Sequence, residues 1–216
     1  MNKIYPESKV EIQGFMARHY DGLLNMVTFG KYESFIRSAI RRLHLKEDEA
    51  VLDLGCGTGK NACLMRRYLS ENGYILGLDI SEEMGAQFRK NCSRFANVEF
   101  RTQRIDVPFE LDRPFDRAFI SFVIHGFPQE VRLKIIQNVH RNLKPGGLFS
   151  ILDFGYFKVK EMPFYYRIPF TTVECPYAFD FVERDWKAIL KEQGFSFAEE
   201  YFWFKNYARL LTVKKD

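Results

Sequence analysis

Three stretches of this 216-residue chain hold residues whose types and spacing can do chemistry. The first is Asp53-Leu-Gly55-Cys-Gly57-Thr-Gly59, which follows the short apolar run Ala50 to Leu54. Glycines after a strand let a ligand approach the backbone closely. A dinucleotide pattern would need glycine where Lys60 stands, and the phosphate-cradling GxxxxGK[ST] pattern is absent. A carboxylate two residues before the first glycine repels a pyrophosphate lying on the turn. It favours a ligand that places a cation there, such as the ammonium of a methionine moiety. The second stretch ends at Asp79, after Tyr74-Ile-Leu-Gly-Leu. An acid at that strand end accepts hydrogen bonds from both hydroxyls of a ribose. The third ends at His125, just past the run Phe115 to Ile124, where an imidazole can draw a proton from an attacking group. His19, His44 and His140 fall within helical patterns and read as surface or core residues.

These residues need a scaffold that brings strand ends together. Apolar runs predict strands at Ala50–Leu54, Tyr74–Asp79, 98–101, 115–124 and 148–152. Helical spacing predicts helices at 10–21, 31–43 and 61–69, at 82–94 behind a Ser81 cap, and at 129–143 and 182–191. Lys144-Pro-Gly-Gly147 reads as a turn, and 195–204 with 207–213 as a closing β-hairpin. Buried runs alternating with amphipathic helices predict an α/β, Rossmann-like doubly wound sheet with helices on both faces. The exception is 154–181. It holds ten aromatic residues, and Pro163, Pro169 and Pro176 disfavour a long regular helix. A break of that length in a compact domain reads as a lid over a binding site.

Composition narrows the partners. The 32 Lys+Arg against 28 Asp+Glu give a net charge of +4 with both signs interspersed, too mild to demand an anionic partner. Arg41-Arg42 and Arg66-Arg67 sit on predicted helices, so they read as solvated faces and no nucleic acid is expected. Cys56, Cys63, Cys92 and Cys175 form no CxxC pair, so free thiols and no metal are expected. No apolar run approaches the ~20 residues of a membrane span, and the first ten residues carry no signal-like apolar region. A single cytoplasmic domain over 1–216 is the expectation.

Val51-Leu-Asp-Leu-Gly-Cys-Gly-Thr-Gly59 resembles motif I of the class I S-adenosylmethionine (SAM)-dependent methyltransferases. Gly77-Leu-Asp-Ile-Ser-Glu-Glu-Met84 is similar to their second motif, and Leu143-Lys-Pro-Gly-Gly147 to their fifth-strand motif. The resemblance implies a seven-stranded sheet whose last strand is antiparallel, with SAM as cofactor and S-adenosylhomocysteine as product. It implies cofactor contacts at Asp53, Gly55, Cys56, Gly57, Gly59, Asp79, Ile80 and Met84. Asp106 matches the acid that contacts the adenine amino group in that family.

Ala17-Arg-His-Tyr-Asp21, Asn25 and Thr28-Phe-Gly30 are similar to the N-terminal signature of the ubiquinone/menaquinone-biosynthesis C-methyltransferases. So are Ile120-Ser-Phe122 and Leu152-Asp-Phe154. That resemblance implies an N-terminal helical cap over 1–45, with Tyr20 lying over the cofactor pocket, and cofactor contacts at Ser121 and Phe122. The sequence departs from the family in its short aromatic segment after the fifth strand and in His125. The implied activity is methyl transfer to a small aromatic or lipidic acceptor, with quinone-type C-methylation favoured; His125, read from its place just past the fourth strand, and Tyr20, from the resemblance, are the catalytic candidates. The [DNS]PP[YF] signature of many amino-group methyltransferases is missing, since Ser121-Phe-Val-Ile-His125 stands there. A phospholipid or small-amine N-methyltransferase and a non-catalytic SAM-binding regulatory protein are the alternatives. The aromatic segment and its Lys158, Lys160 and Arg167 add peripheral membrane contact to the expectations.

Overall fold

A computed structural model describes Tyr5, Glu7, Ser8 and residues 31–216. The predicted helix at 10–21, Tyr20, Asn25 and Thr28 to Gly30 lie outside the described residues. Seven strands form one sheet: β1 Ala50–Leu54, β2 Tyr74–Asp79, β3 Val98–Thr102, β4 Phe115–Ser121, β5 Leu143–Phe154, β6 Phe195–Trp203 and β7 Ala208–Lys215. Their order is β3-β2-β1-β4-β5-β7-β6. The first five strands pair in parallel, and β7 is antiparallel to both β5 and β6. The last strand is therefore antiparallel, as expected. The order reverses at β1, so the carboxyl ends of β1 and β4 flank the crevice where such sheets take ligands.

Helices cover both faces: α1 Lys31–Arg41, α2 Lys60–Met65, α3 Glu82–Cys92, α4 Gln129–Asn142, α5 Phe164–Val173, α6 Pro176–Val182 and α7 Trp186–Glu192. Successive strand residues point to opposite faces, so each strand feeds two cores. Val51, Ile75, Phe119 and Leu210 pack under Ile36 and Ile40 of α1, Met65 of α2 and Phe88 of α3. Leu52, Leu76, Ile120 and Leu211 pack under Ile135 and Val139 of α4, Phe181 of α6 and Trp186 of α7. The buried Arg117 of β4 donates to the carbonyls of Leu43 and His44 and pairs with Glu49, tying the end of α1 to the sheet.

Three expectations change. The break at 154–181 is mostly helical: a 3-10 turn at Val159–Glu161, then α5 and α6. Pro163 precedes α5 and Pro176 is the first residue of α6. At those positions the missing N–H has no intrahelical partner to lose. Residues 144–147 lie within β5 rather than in a separate turn. Leu143 pairs with Phe115 and Leu148 with Arg117, so the Lys144–Gly147 stretch is the extra length of a bulge. The helix predicted at 182–191 divides, because Asp185 caps a new start by accepting the N–H groups of Lys187 and Ala188.

Candidate active site

The turn after β1 takes its shape from its glycines. Gly57 has φ +52°, a left-handed conformation that side chains disfavour, and a Cβ there would meet nothing within 4 Å. Gly55 has φ +67°, and a Cβ on it would lie 2.7 Å from Val123 Cγ2. One glycine thus opens space above the turn, and the other lets the chain after β4 press against it. Asp79, at the end of β2, accepts the N–H of Gly57 and the N–H of Ser81, both at 2.9 Å. Burial pushes its carboxyl up, and those backbone donors hold it back in part.

Asp53 lies two residues below Gly55 and is only 1% exposed. Its Oδ2 is the one buried side-chain polar atom without a hydrogen-bond partner among the described residues. Burial and the nearby Asp79 charge push its carboxyl up to about 8. With Oδ2 unpartnered, an acid so buried favours its protonated form until a cation pairs with it.

Above the turn lies an open cleft of about 490 Å³. Gly55, Leu78, Asp79, Ile80, Ile105 and Asp106 contribute to its wall, as do Val123 and Phe127 from the segment after β4. Asn138 of α4 positions Asp106 by donating to the carbonyls of Ile105 and Val107. The Asp106 carboxylate accepts two bonds from Arg104, at 2.6 and 3.1 Å, and one from the Tyr5 hydroxyl at 2.7 Å. Burial works to raise its carboxyl, but Arg104 and Tyr5 outweigh that and hold it below the usual range. Burial and Asp106 push Tyr5 up to about 12, so it stays a hydrogen-bond donor. Its ring meets Phe127 edge-on at 5.3 Å.

Other sequence-predicted residues lie back from this wall. Cys56 is buried, with its Sγ 2.7 Å from the place a Gly77 Cβ would take, and its N–H goes to Leu78 O. It borders the turn only through its backbone. A Cβ on Gly59 would strike the Phe88 ring at 2.7 Å, so this glycine serves the packing of α2 on α3. Met84 is buried in the first turn of α3, and its N–H goes to Ser81 Oγ. Ser121 ends β4. Phe122 after it has φ +52°, strained for a bulky residue. Its ring packs against Phe35 and Phe154.

His125 is buried and is not part of the cleft wall. Its Nδ1 lies 2.7 Å from Asp153 Oδ1 at the end of β5, and its Nε2 lies 3.6 Å from Glu174 Oε2, just after α5. Burial works to lower the imidazole, but Asp153 and then Glu174 outweigh it, leaving the ring above its ordinary value. Behind it the buried Arg132 of α4 donates to the carbonyls of Ile124, His125 and Tyr177 and pairs with Asp180 of α6 at 2.6 Å. These bonds fasten the segment after β5 onto the end of β4. The segment's aromatics divide accordingly: Phe170 and Phe181 join the core, while Phe164, Tyr165 and Tyr166 of α5 are exposed.

This donor set fits SAM. Asp53, buried below the wall, could offer its unpartnered Oδ2 to an ammonium, Asp79 two acceptor oxygens to a ribose, and Ile80, Ile105 and Phe127 apolar walls to a base. Among the described residues no group of three His, Cys, Asp or Glu could hold a metal ion, and no helix is long and apolar enough to cross a membrane. Asp153, Arg132, Asn138 and Tyr5 escaped the sequence motifs. Only Asp153 carried a signal, as the middle residue of Leu152-Asp-Phe154.

Known proteins resemble this chain in sequence and in fold. Residues 51–147 match the family described as a methyltransferase domain. The chain is 28% identical over 155 residues to demethylmenaquinone methyltransferase of Staphylococcus carnosus, covering 70% of this chain and 62% of that protein. It is 32% identical over 142 residues to the chloroplastic 2-phytyl-1,4-beta-naphthoquinone methyltransferase of Arabidopsis thaliana, covering 63% and 53%. The chain thus spans less than two thirds of the length of these relatives. A SAM-dependent methyltransferase from Aquifex aeolicus superposes with a TM-score of 0.60 at 19% identity, over 84% of this chain and 89% of that one.

Proposed function

We propose that this chain, which carries a class I SAM-dependent methyltransferase domain similar in sequence to the quinone methyltransferases, transfers a methyl group to a small aromatic or lipidic acceptor. Carbon methylation of a quinone-type ring is the favoured reaction. The unpartnered Asp53 Oδ2 beneath an open glycine turn is the observation that carries the cofactor half. Similarity to two enzymes named for naphthoquinone substrates supports the acceptor half.

Bound SAM supplies a sulfonium methyl open to in-line attack. Within the chain, Asp53 gives up its proton and pairs with the cofactor's ammonium. Asp79 accepts the ribose hydroxyls through its remaining lone pairs. Ile80 and Phe127 would hold the adenine between them, with Asp106 to accept from its amino group. Gly55 and Gly57 keep side chains out of the way, and Ser121 and Phe122, at the end of β4, would lie on the methyl side of the cofactor. The segment 154–181 is the cover over the acceptor.

On the acceptor side, Asp153 holds the Nδ1–H of His125, so that once the ring is neutral its Nε2 lone pair can take a hydroxyl proton. That proton loss enriches the ring carbon that attacks. Glu174 faces Nε2 at 3.6 Å, so α5 and α6 must shift for an acceptor to reach it. The burial of His125 behind the cleft wall favours a second reading, in which it is a latch holding this cover.

The test is transfer of radiolabelled methyl from SAM to a dithionite-reduced 2-demethylnaphthoquinol, beside phosphatidylethanolamine and a small amine. Label on the quinol ring carbon supports the proposal. Label only on nitrogen replaces it with an N-methyltransferase, and binding without turnover on any acceptor leaves a SAM-binding regulator. Stabilisation by NAD and not by SAM overturns the cofactor assignment.

A further inference from the structure

Away from the cleft, two thiols meet beneath the glycine turn. Cys63 of α2 and Cys92, the last residue of α3, have their Sγ atoms 2.6 Å apart, across 29 positions of sequence. Both are free thiols. They differ in setting, since Cys92 is buried while Cys63 is partly open to solvent. Cys92 Sγ also lies 3.6 Å from Gly59 O, and the Cys63 N–H goes to the same carbonyl at 2.9 Å. The bond from Cys92 favours the Cys63 thiolate, and Arg94 and Arg67 add to this, while burial opposes it.

We propose that Cys63 and Cys92 are a redox modification site, a dithiol that closes to a disulfide between the helix after the glycine turn and the helix after Asp79. The oxidant class is a peroxide. The Cys63 thiolate attacks one peroxide oxygen and the O–O bond breaks, giving a sulfenic acid and hydroxide, which takes up a proton as water. Cys92 sulfur then attacks Cys63 sulfur. The S–S bond forms, the S–O bond breaks, and the hydroxide leaves with the Cys92 proton as a second water. Two thiols lose two electrons and the peroxide is reduced to two waters. Closure also leaves Cys92 with no S–H to share between Cys63 and Gly59 O, loosening one side of the turn.

The test treats the reduced full chain with one equivalent of hydrogen peroxide and reads intact mass, peptide map and melting temperature. The expected result is a loss of about 2 Da, a disulfide-linked peptide pair containing Cys63 and Cys92, and a melting temperature about 5–10 °C higher. Dithiothreitol should reverse all three changes, and Cys63→Ala or Cys92→Ala should abolish the mass loss. An unchanged mass, or linkage to Cys56 or Cys175, overturns the proposal; the wild-type map decides even if the variants fold poorly. The link to the turn rests on the proposed cofactor site. It is read by titrating S-adenosylhomocysteine into both redox forms, with about threefold weaker binding expected once oxidised. Equal affinities overturn that link, whereas no binding in either form overturns the cofactor site and leaves the disulfide result standing.

Discussion

The carboxyl ends of β1 and β2 and those of β4 and β5 belong to one sheet edge but are built by different means. At β1 and β2 the backbone does the shaping: positive-φ glycines, amides clasping Asp79, and one acid left bare. At β4 and β5 side chains do it, through His125, Asp153, Glu174, Arg132 and Asp180 joined across distant parts of the chain. A site made of backbone suits a ligand that does not change. One held by side chains can be re-aimed by single substitutions, as the acceptor end of a transferase needs.

The largest effect that separates these halves is on folding. Arg132→Met strips three carbonyls of a donor and leaves Asp180 paired with Arg184 alone. It should cost about 3–5 kcal/mol by urea denaturation, while cofactor affinity of the folded fraction holds. Comparable loss of cofactor binding would mean the halves are not separable. Next, His125→Gln should lower kcat about a hundredfold with SAM affinity unchanged. The wild-type rate should rise with pH through a midpoint above the ordinary histidine value, because Asp153 and Glu174 overcome the burial that would lower it. Asp153→Asn should bring that midpoint down. A melting-temperature loss with kcat intact would make His125 a latch.

Asp53→Asn should weaken S-adenosylhomocysteine binding about thirtyfold, measured by calorimetry. In the wild type the acid is pushed up to about 8, so it must lose its proton before it can pair with the ammonium. Affinity should therefore climb by up to about tenfold per pH unit from pH 6 and level off above 8. The ligand-free protein runs the other way. A raised folded-state acid stabilises most at pH below the unfolded carboxyl value, and that stability is lost as pH rises through 8. An Asp53→Asn variant that keeps the slope would move the proton elsewhere. The smallest effect belongs to α5: Phe164→Ser with Tyr165→Ser should raise KM a few-fold for a vesicle-borne acceptor and leave a soluble one unchanged. Stability should stay within about 0.5 kcal/mol per site, since both rings are exposed.

The contrast also decides what the sequence could tell. β1, β2 and the glycine turn were legible because their chemistry is local: an apolar run, glycines where φ turns positive, acids at strand ends. α5 and α6 were not, since three prolines argue against helix, yet Pro163 and Pro176 stand at helix starts and α5 continues through Pro169. His125 was picked out by type, but its partners lie 28 positions away at Asp153 and 49 away at Glu174, beyond any motif spacing. Asp106 was legible from a resemblance. Asn138, which fixes its loop from α4, and Tyr5, which covers it, had no local pattern at all.

The sheet order sets an order of synthesis. β7 leaves the ribosome after β6 but inserts between β6 and β5, so β6 has no strand to pair with until β7 arrives. Until then the nascent chain carries β5 with a bare edge and β6 adrift, a species open to edge-to-edge association. Translation halted within 208–215 would thus remove two strands from the sheet rather than one.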